Sequence, residues 1–212
     1  MVYQYNSRIH LAEVALNVKD LESQTAFYHQ LLGLEILIRS EKEILLGAGG
    51  KPLVRLIKTD DISNPKQSYG LYHMALLLPT REDLANVFKH LLDLKIPLVG
   101  GADHGYSEAI YLEDLEGNGI ELYRDKPVTV WDIREDGRII GVTEELSAQD
   151  IYELGKKSSL LQSQVVLEWG MFIYLLRIVV NLVHSTKSLL ILRINSRFHT
   201  PVGSHQGLIT II

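Results

Sequence analysis

Three ionisable side chains interrupt apolar, strand-like runs in this 212-residue chain. Glu13 lies in IHLAEVALNV, His73 stands just ahead of MALLL, and Glu121 lies in GIELYRD. On a strand, side chains alternate between faces, so Ile120 and Leu122 share one face and Glu121 takes the other. Glu13, beside Val14 and before Leu16, follows the same logic. Imidazole and carboxylate side chains are able to ligate a divalent metal. Plainer readings stand beside this one. His73 is equally a hydrogen-bonded core histidine, and Glu121 a partner for Arg124 or Lys126. Tyr123 shares the face of Glu121 and either touches a ligand or simply packs. His104, in ADHGYSEAI, lines a pocket or sits on a surface loop. His29 and His90 fall on helices and are expected in solvent.

Other chemistries find less support. The chain has no cysteine, which excludes disulfides, thiolate metal sites and a cysteine nucleophile. GAGG at 47–50 is not a phosphate loop, because no Lys-Ser/Thr follows and no helix begins there. No Ser-His-Asp arrangement has supporting context. A net charge of −5 argues against nucleic acid as the main partner, since that needs a basic surface.

The elements that must position these residues come as a repeat. IHLAEVALNV (9–18) is β-rich, LESQTAFYHQLL (21–32) carries apolar residues at helical spacing, and Gly33 is a natural C-cap. Three strand-like runs follow: LEILI (34–38), EILLG (43–47) and PLVRLIK (52–58). The pattern then restarts. HMALLLPTREDLANVFKHLLDLKI (73–96) lies on EVALNVKDLESQTAFYHQLLGLEI (13–36) without a gap, with Thr80 as N-cap. Strands are expected at 97–103, 108–114 and 119–125, with a tight turn at LEGNG. The first 125 residues or so are therefore two βαβββ units, a curved, mostly antiparallel α+β arrangement, with modules at about 8–58 and 70–125. Residues 127–160 read as a polar connector with a short helix at SAQDIYELGKK (147–157), capped by Ser147.

Paired βαβββ units of this kind, with VALNVKDLESQTAFYHQLLGLEI, GLYHMALLLPTREDL and DHGYSEAIYLEDLEGNGIELY, resemble the glyoxalase / bleomycin-resistance / extradiol-dioxygenase (vicinal oxygen chelate) superfamily. The likeness covers about residues 8–126 and is greatest to the N-terminal half of two-domain catechol 2,3-dioxygenase-like proteins. The resemblance implies a cup in which Glu13, His73 and Glu121 hold a divalent metal, Fe(II) first, with Mn(II), Ni(II) or Zn(II) as alternatives. The family pattern usually has His where Glu13 stands, and this departure leaves a metal-free chain open. Implied functions are ring-opening oxygenation of a catechol, glyoxalase-type isomerisation, or metal-free binding of a small aromatic or vicinal-oxygen molecule. A cytoplasmic protein is expected, since MVYQYNSRIH lacks the order of a signal peptide. Homo-oligomer formation is left open.

In the two-domain relatives a second pair of modules follows the connector, and the resemblance implies that the catalytic metal sits there. This chain instead continues with the apolar EWGMFIYLLRIVVNL (168–182). As a membrane span it carries Glu168, Arg177 and Asn181, each costly in lipid; as a soluble helix it lacks a polar face. A one-base slip in reading frame offers a third origin. Read across codon boundaries, Trp169-Gly170 forces Gly and Met171-Phe172 forces Val, both matching a strand like GHVHLYVAD that opens the relatives' second domain. Residues 161–212 are thus expected to be a non-family apolar tail, either a frameshifted remnant of a second domain or a lineage-specific extension. Contact with a membrane is expected through that tail or not at all.

Overall fold

The computed structural model describes residues 9–60, 71–156, 168–169, 191–200 and 203–211. Its first unit runs β1 (Ile9–Val18), α1 (Leu21–Ala26), β2 (Glu35–Arg39), β3 (Glu43–Ala48) and β4 (Lys51–Lys58). The second runs β5 (Met74–Leu77), α2 (Arg81–Asp93), β6 (Leu98–Asp103), β7 (Ser107–Glu113) and β8 (Gly119–Asp125). In each unit the first strand lies parallel to the last and the other neighbours are antiparallel, giving the orders β1-β4-β3-β2 and β5-β8-β7-β6. The chain is thus α+β, with two mixed open sheets.

Local chemistry fixes the helix starts. Thr80 accepts a hydrogen bond from the Asp83 amide (3.1 Å), and Asp20 accepts one from the Ser23 amide (3.0 Å); both satisfy orphan donors of a first turn. The first helix differs from expectation. It is α-helical only to Ala26 and continues as a π turn over Phe27–Leu31. The wider turn coincides with four buried side chains close in sequence, Phe27, Tyr28, Leu31 and Leu32. Gly33 then takes φ +76°, the left-handed conformation of a helix C-terminus.

One apolar core joins the units. Val14, Leu16, Leu46 and Leu56 belong to the same buried cluster as Met74, Leu84, Leu91 and Leu122. A buried polar contact reinforces the junction: the Tyr28 hydroxyl donates to Asp114 Oδ2 at 2.8 Å. Asp114 also accepts from the Glu116 and Asn118 amides, which holds the expected tight turn in place.

The connector is more ordered than its composition predicts. After a 3₁₀ turn at Val128–Val130, β9 (Asp132–Ile133) pairs with β10 (Ile139–Ile140). Next, β11 (Glu144–Glu145) adds to the free edge of β6. Helix α3 (Ala148–Leu154) packs on α2 and brings Ile151 into the core. Ser147 does not accept a backbone bond there; its hydroxyl donates to Asp150 instead. Further along, β12 (Glu168–Trp169) pairs with β5, while β13 (Ile191–Thr200) pairs with β1 and with β14 (Gly203–Ile211). Apart from Glu168–Trp169, the apolar run 168–182 lies outside the described residues. No helix among the described residues is long and apolar enough to cross a membrane.

Candidate functional site

The register of each unit sets its polar residues facing across the first and last strands. Ala75 lies beside Glu121 on β8, and Ala15 beside Arg55 on β4. Arg55 is therefore the first unit's counterpart of Glu121, as Glu13 is the counterpart of His73. Each unit builds a polar pair there, but of different kinds.

In the second unit, His73 Nε2 meets Glu121 Oε2 at 2.9 Å. The Tyr111 hydroxyl donates to the other oxygen, Oε1, at 3.1 Å, and lies 2.8 Å from His104 Nε2. His104 Nδ1 donates to the Val142 carbonyl at 3.0 Å, since a carbonyl only accepts. Four side chains thus form one hydrogen-bonded line from β5 to the connector. Glu121 is 5% exposed, so this line is the partner set that makes its burial tolerable.

In the first unit, Glu13, 4% exposed, is gripped by Arg55 through Nε (2.8 Å) and Nη2 (3.1 Å), in the two-pronged geometry that suits a carboxylate. Arg55 Nη1 also holds Glu43 at 2.8 Å. Of the three expected metal-binding residues, the structure brings two together, His73 and Glu121, and places Glu13 in a separate ion pair. Members of this fold typically hold a divalent metal, but the donors here fit that role only in part. Glu13 does not join the other two: its carboxylate is paired with Arg55 in the first unit. Among the described residues no cluster of three His, Asp or Glu side chains is placed to hold an ion.

The second unit's line borders a cleft of about 740 Å³, floored by β6, β7 and β8 and edged by Gly141–Thr143 of the connector. That volume suits a small organic ligand. His104 lines it. Tyr123 does not line it; it is fully buried with Ala75, Leu77 and Ala109. Tyr72, Tyr106 and Tyr111 line it and were not foreseen. Tyr111 was legible in principle, since EAIYLED alternates and Tyr111 falls opposite Glu121. Rings run along the cleft in a row. Tyr72 and His73 are 4.6 Å apart, His73 and Tyr111 5.9 Å, Tyr111 and His104 6.5 Å, and His104 and Tyr106 6.0 Å. Trp131 continues the row 6.2 Å beyond Tyr106.

Electrostatics keep the phenols neutral. Burial, and then the charge of Glu121, raise Tyr111 above the ordinary phenol range. Tyr106 is pushed up to about 12 by burial first, then by Glu121 and Asp125. Both are donors, never phenolates, at ordinary pH. Neither Arg124 nor Lys126 pairs with Glu121. Arg124 joins Arg81 on buried Glu108, and Lys126 pairs with Asp103. The helix histidines also depart from expectation. His29 Nδ1 contacts the Leu34 carbonyl, and His90 has a buried Nε2, with burial lowering its pKa.

Residues 10–122 match the Glyoxalase/Bleomycin resistance protein/Dioxygenase superfamily. The chain belongs to that superfamily. It is 32% identical over 147 residues to the catechol-2,3-dioxygenase of Bacillus subtilis (strain 168), covering 68% of this chain and 51% of that protein. It is 25% identical over 112 residues to the metallothiol transferase FosB of Staphylococcus haemolyticus, covering 52% of this chain and 79% of that one. A glyoxalase/dioxygenase structure from Nostoc punctiforme aligns over 56% of this chain and 92% of its own, at 22% identity and a TM-score of 0.48. The chain spans about half the length of the Bacillus catechol-2,3-dioxygenase. Within the superfamily framework, the His73–Glu121 line and the cleft beside it form the candidate site.

Proposed function

We propose that this superfamily domain binds a small aromatic or vicinal-oxygen molecule in the cleft of its second unit, and that the first unit braces it. The observation that carries this reading is the hydrogen-bonded line His73–Glu121–Tyr111–His104 along a cleft walled by aromatic rings. Rings supply apolar contact area with orientation preferences, and the polar line supplies donors and acceptors at fixed places. A flat ring bearing hydroxyls matches both. Glu121 accepts a hydrogen bond from a ligand hydroxyl through its remaining lone pairs, and the Tyr111 hydroxyl fixes the orientation of that carboxylate.

The dioxygenase activity in the name of the Bacillus relative is no part of this reading. Glu13 pairs with Arg55 and not with His73 or Glu121, and the role of the cleft is binding. Calorimetric titration of the full chain with catechol tests the binding claim. Saturable heat, with affinity about tenfold weaker in Tyr111→Phe, is expected from loss of one hydrogen bond to a charged group. Absence of binding sinks the reading. Incubation with Fe(II), catechol and oxygen is a separate arm, and a ring-opened product at catalytic turnover overturns the restriction to binding.

A further inference from the structure

We propose that the cleft discriminates by charge and takes ligands carrying an ammonium group on or beside an aromatic ring, in preference to neutral analogues and against anionic ones. This rests on the reading of the cleft as a ligand site and sharpens what that site accepts. Among its described lining residues there is no lysine and no arginine, while Glu113 and Glu121 bring two carboxylates. The nearby cations are already committed, Arg124 and Arg81 to Glu108 and Lys126 to Asp103. An anion entering here loses its water and meets no lysine or arginine, only His73 and His104, whose ring nitrogens already serve Glu121, Tyr111 and the Val142 carbonyl. A cation meets the opposite situation.

The rings add to the same preference. An aromatic face carries negative electrostatic potential, and several faces around a cavity are a recognised way to hold a quaternary ammonium. Tyr72 stands at the mouth, 84% exposed, with its ring 4.6 Å from that of His73. Tyr111 and Tyr106 lie further along the cleft. Tyr72 therefore meets the ligand first, and Glu121 lies beyond it with both oxygens already oriented by Tyr111 and His73. The acidic balance of the whole chain, −5, adds attraction at long range that salt screens.

The test uses the full chain and three probes of one shape class: benzyltrimethylammonium, benzyl alcohol and benzoate. Calorimetry at low ionic strength is expected to give at least about tenfold tighter binding of the cation than of the alcohol, with benzoate weakest. Salt should erode the cation's advantage and leave the alcohol unaffected. Glu121→Gln should bring the cation-to-alcohol ratio close to one. Glu113→Gln, a change at an exposed strand end, should lower that ratio without threatening the fold. Equal affinities, or tighter binding of benzoate, overturn the charge preference and leave the cleft standing as a site. Failure of all three probes to bind overturns the preference together with the binding reading beneath it.

Discussion

Arg55 decides what the first unit can be. Its guanidinium spans Glu13 and Glu43, and Glu13 is almost wholly enclosed. Removing it takes the two-pronged guanidinium from a buried carboxylate, and breaking a buried ion pair typically costs about 3–5 kcal/mol. Arg55→Met is therefore expected to lower the urea midpoint strongly. Glu13→Gln, which removes the charge and keeps an acceptor, should lower it less, and equal losses would contradict the ion-pair account. Asp125 offers a pH test. Burial raises its pKa to about 6, against a smaller lowering by Arg124, and its Oδ1 is buried without a hydrogen bond. A carboxyl raised above its unfolded value near 3.8 favours the fold while protonated. That contribution is complete below about pH 4 and is lost as pH rises through about 6. Asp125→Asn should accordingly gain about 2 kcal/mol on the parent between pH 4 and pH 7, read as the difference between their unfolding curves. A pH-independent difference would contradict the assignment.

At the scale of elements, much was legible because hydrophobic period and repeat agree. The gapless overlay of 73–96 on 13–36 places both helices, and Glu13 on β1 has its counterpart in His73, just ahead of β5. What stayed hidden was the partner on the last strand. Arg55 in PLVRLIK occupies the place of Glu121 in GIELYRD, and that equivalence appears only once the parallel registers are known. The π turn was hidden for another reason: LESQTAFYHQLL satisfies helical spacing, and only packing shows that Phe27 and Tyr28 are both drawn inward. The short strands of the connector are not legible in its composition, because their order comes from distant contacts. Gly141 lies against the Tyr106 ring so closely that a Cβ would stand 2.6 Å from it, and Gly101 and Leu146 are as tight. Gly119 meets the Tyr72 carbonyl similarly, at 2.4 Å from a built Cβ. Gly119→Ala is expected to part β8 from the chain ahead of β5, costing about 1–3 kcal/mol of stability; it should weaken catechol binding, by calorimetry, more than Gly117→Ala, whose Cβ meets nothing and whose cost is confined to the strain of a turn residue at φ +84°. Equal effects would show that close approach at Gly119 does not support the site.

For the whole molecule, a shared core and the Tyr28–Asp114 bond make the two units interdependent. Tyr28→Phe leaves a buried carboxylate short of one donor and should cost about 1–3 kcal/mol while unfolding stays a single transition. Two separated transitions would contradict a common core. The division of labour between the units, a braced first half and a ligand-binding second half, is the central claim, and amide NMR of the full chain titrated with catechol tests it most directly. The account predicts progressive shifts at Tyr72, His73, His104, Tyr111, Glu121 and Val142, with Glu13, Arg55 and Glu43 unmoved. Shifts centred on β1 and β4, or none in the cleft at saturating catechol, would contradict it.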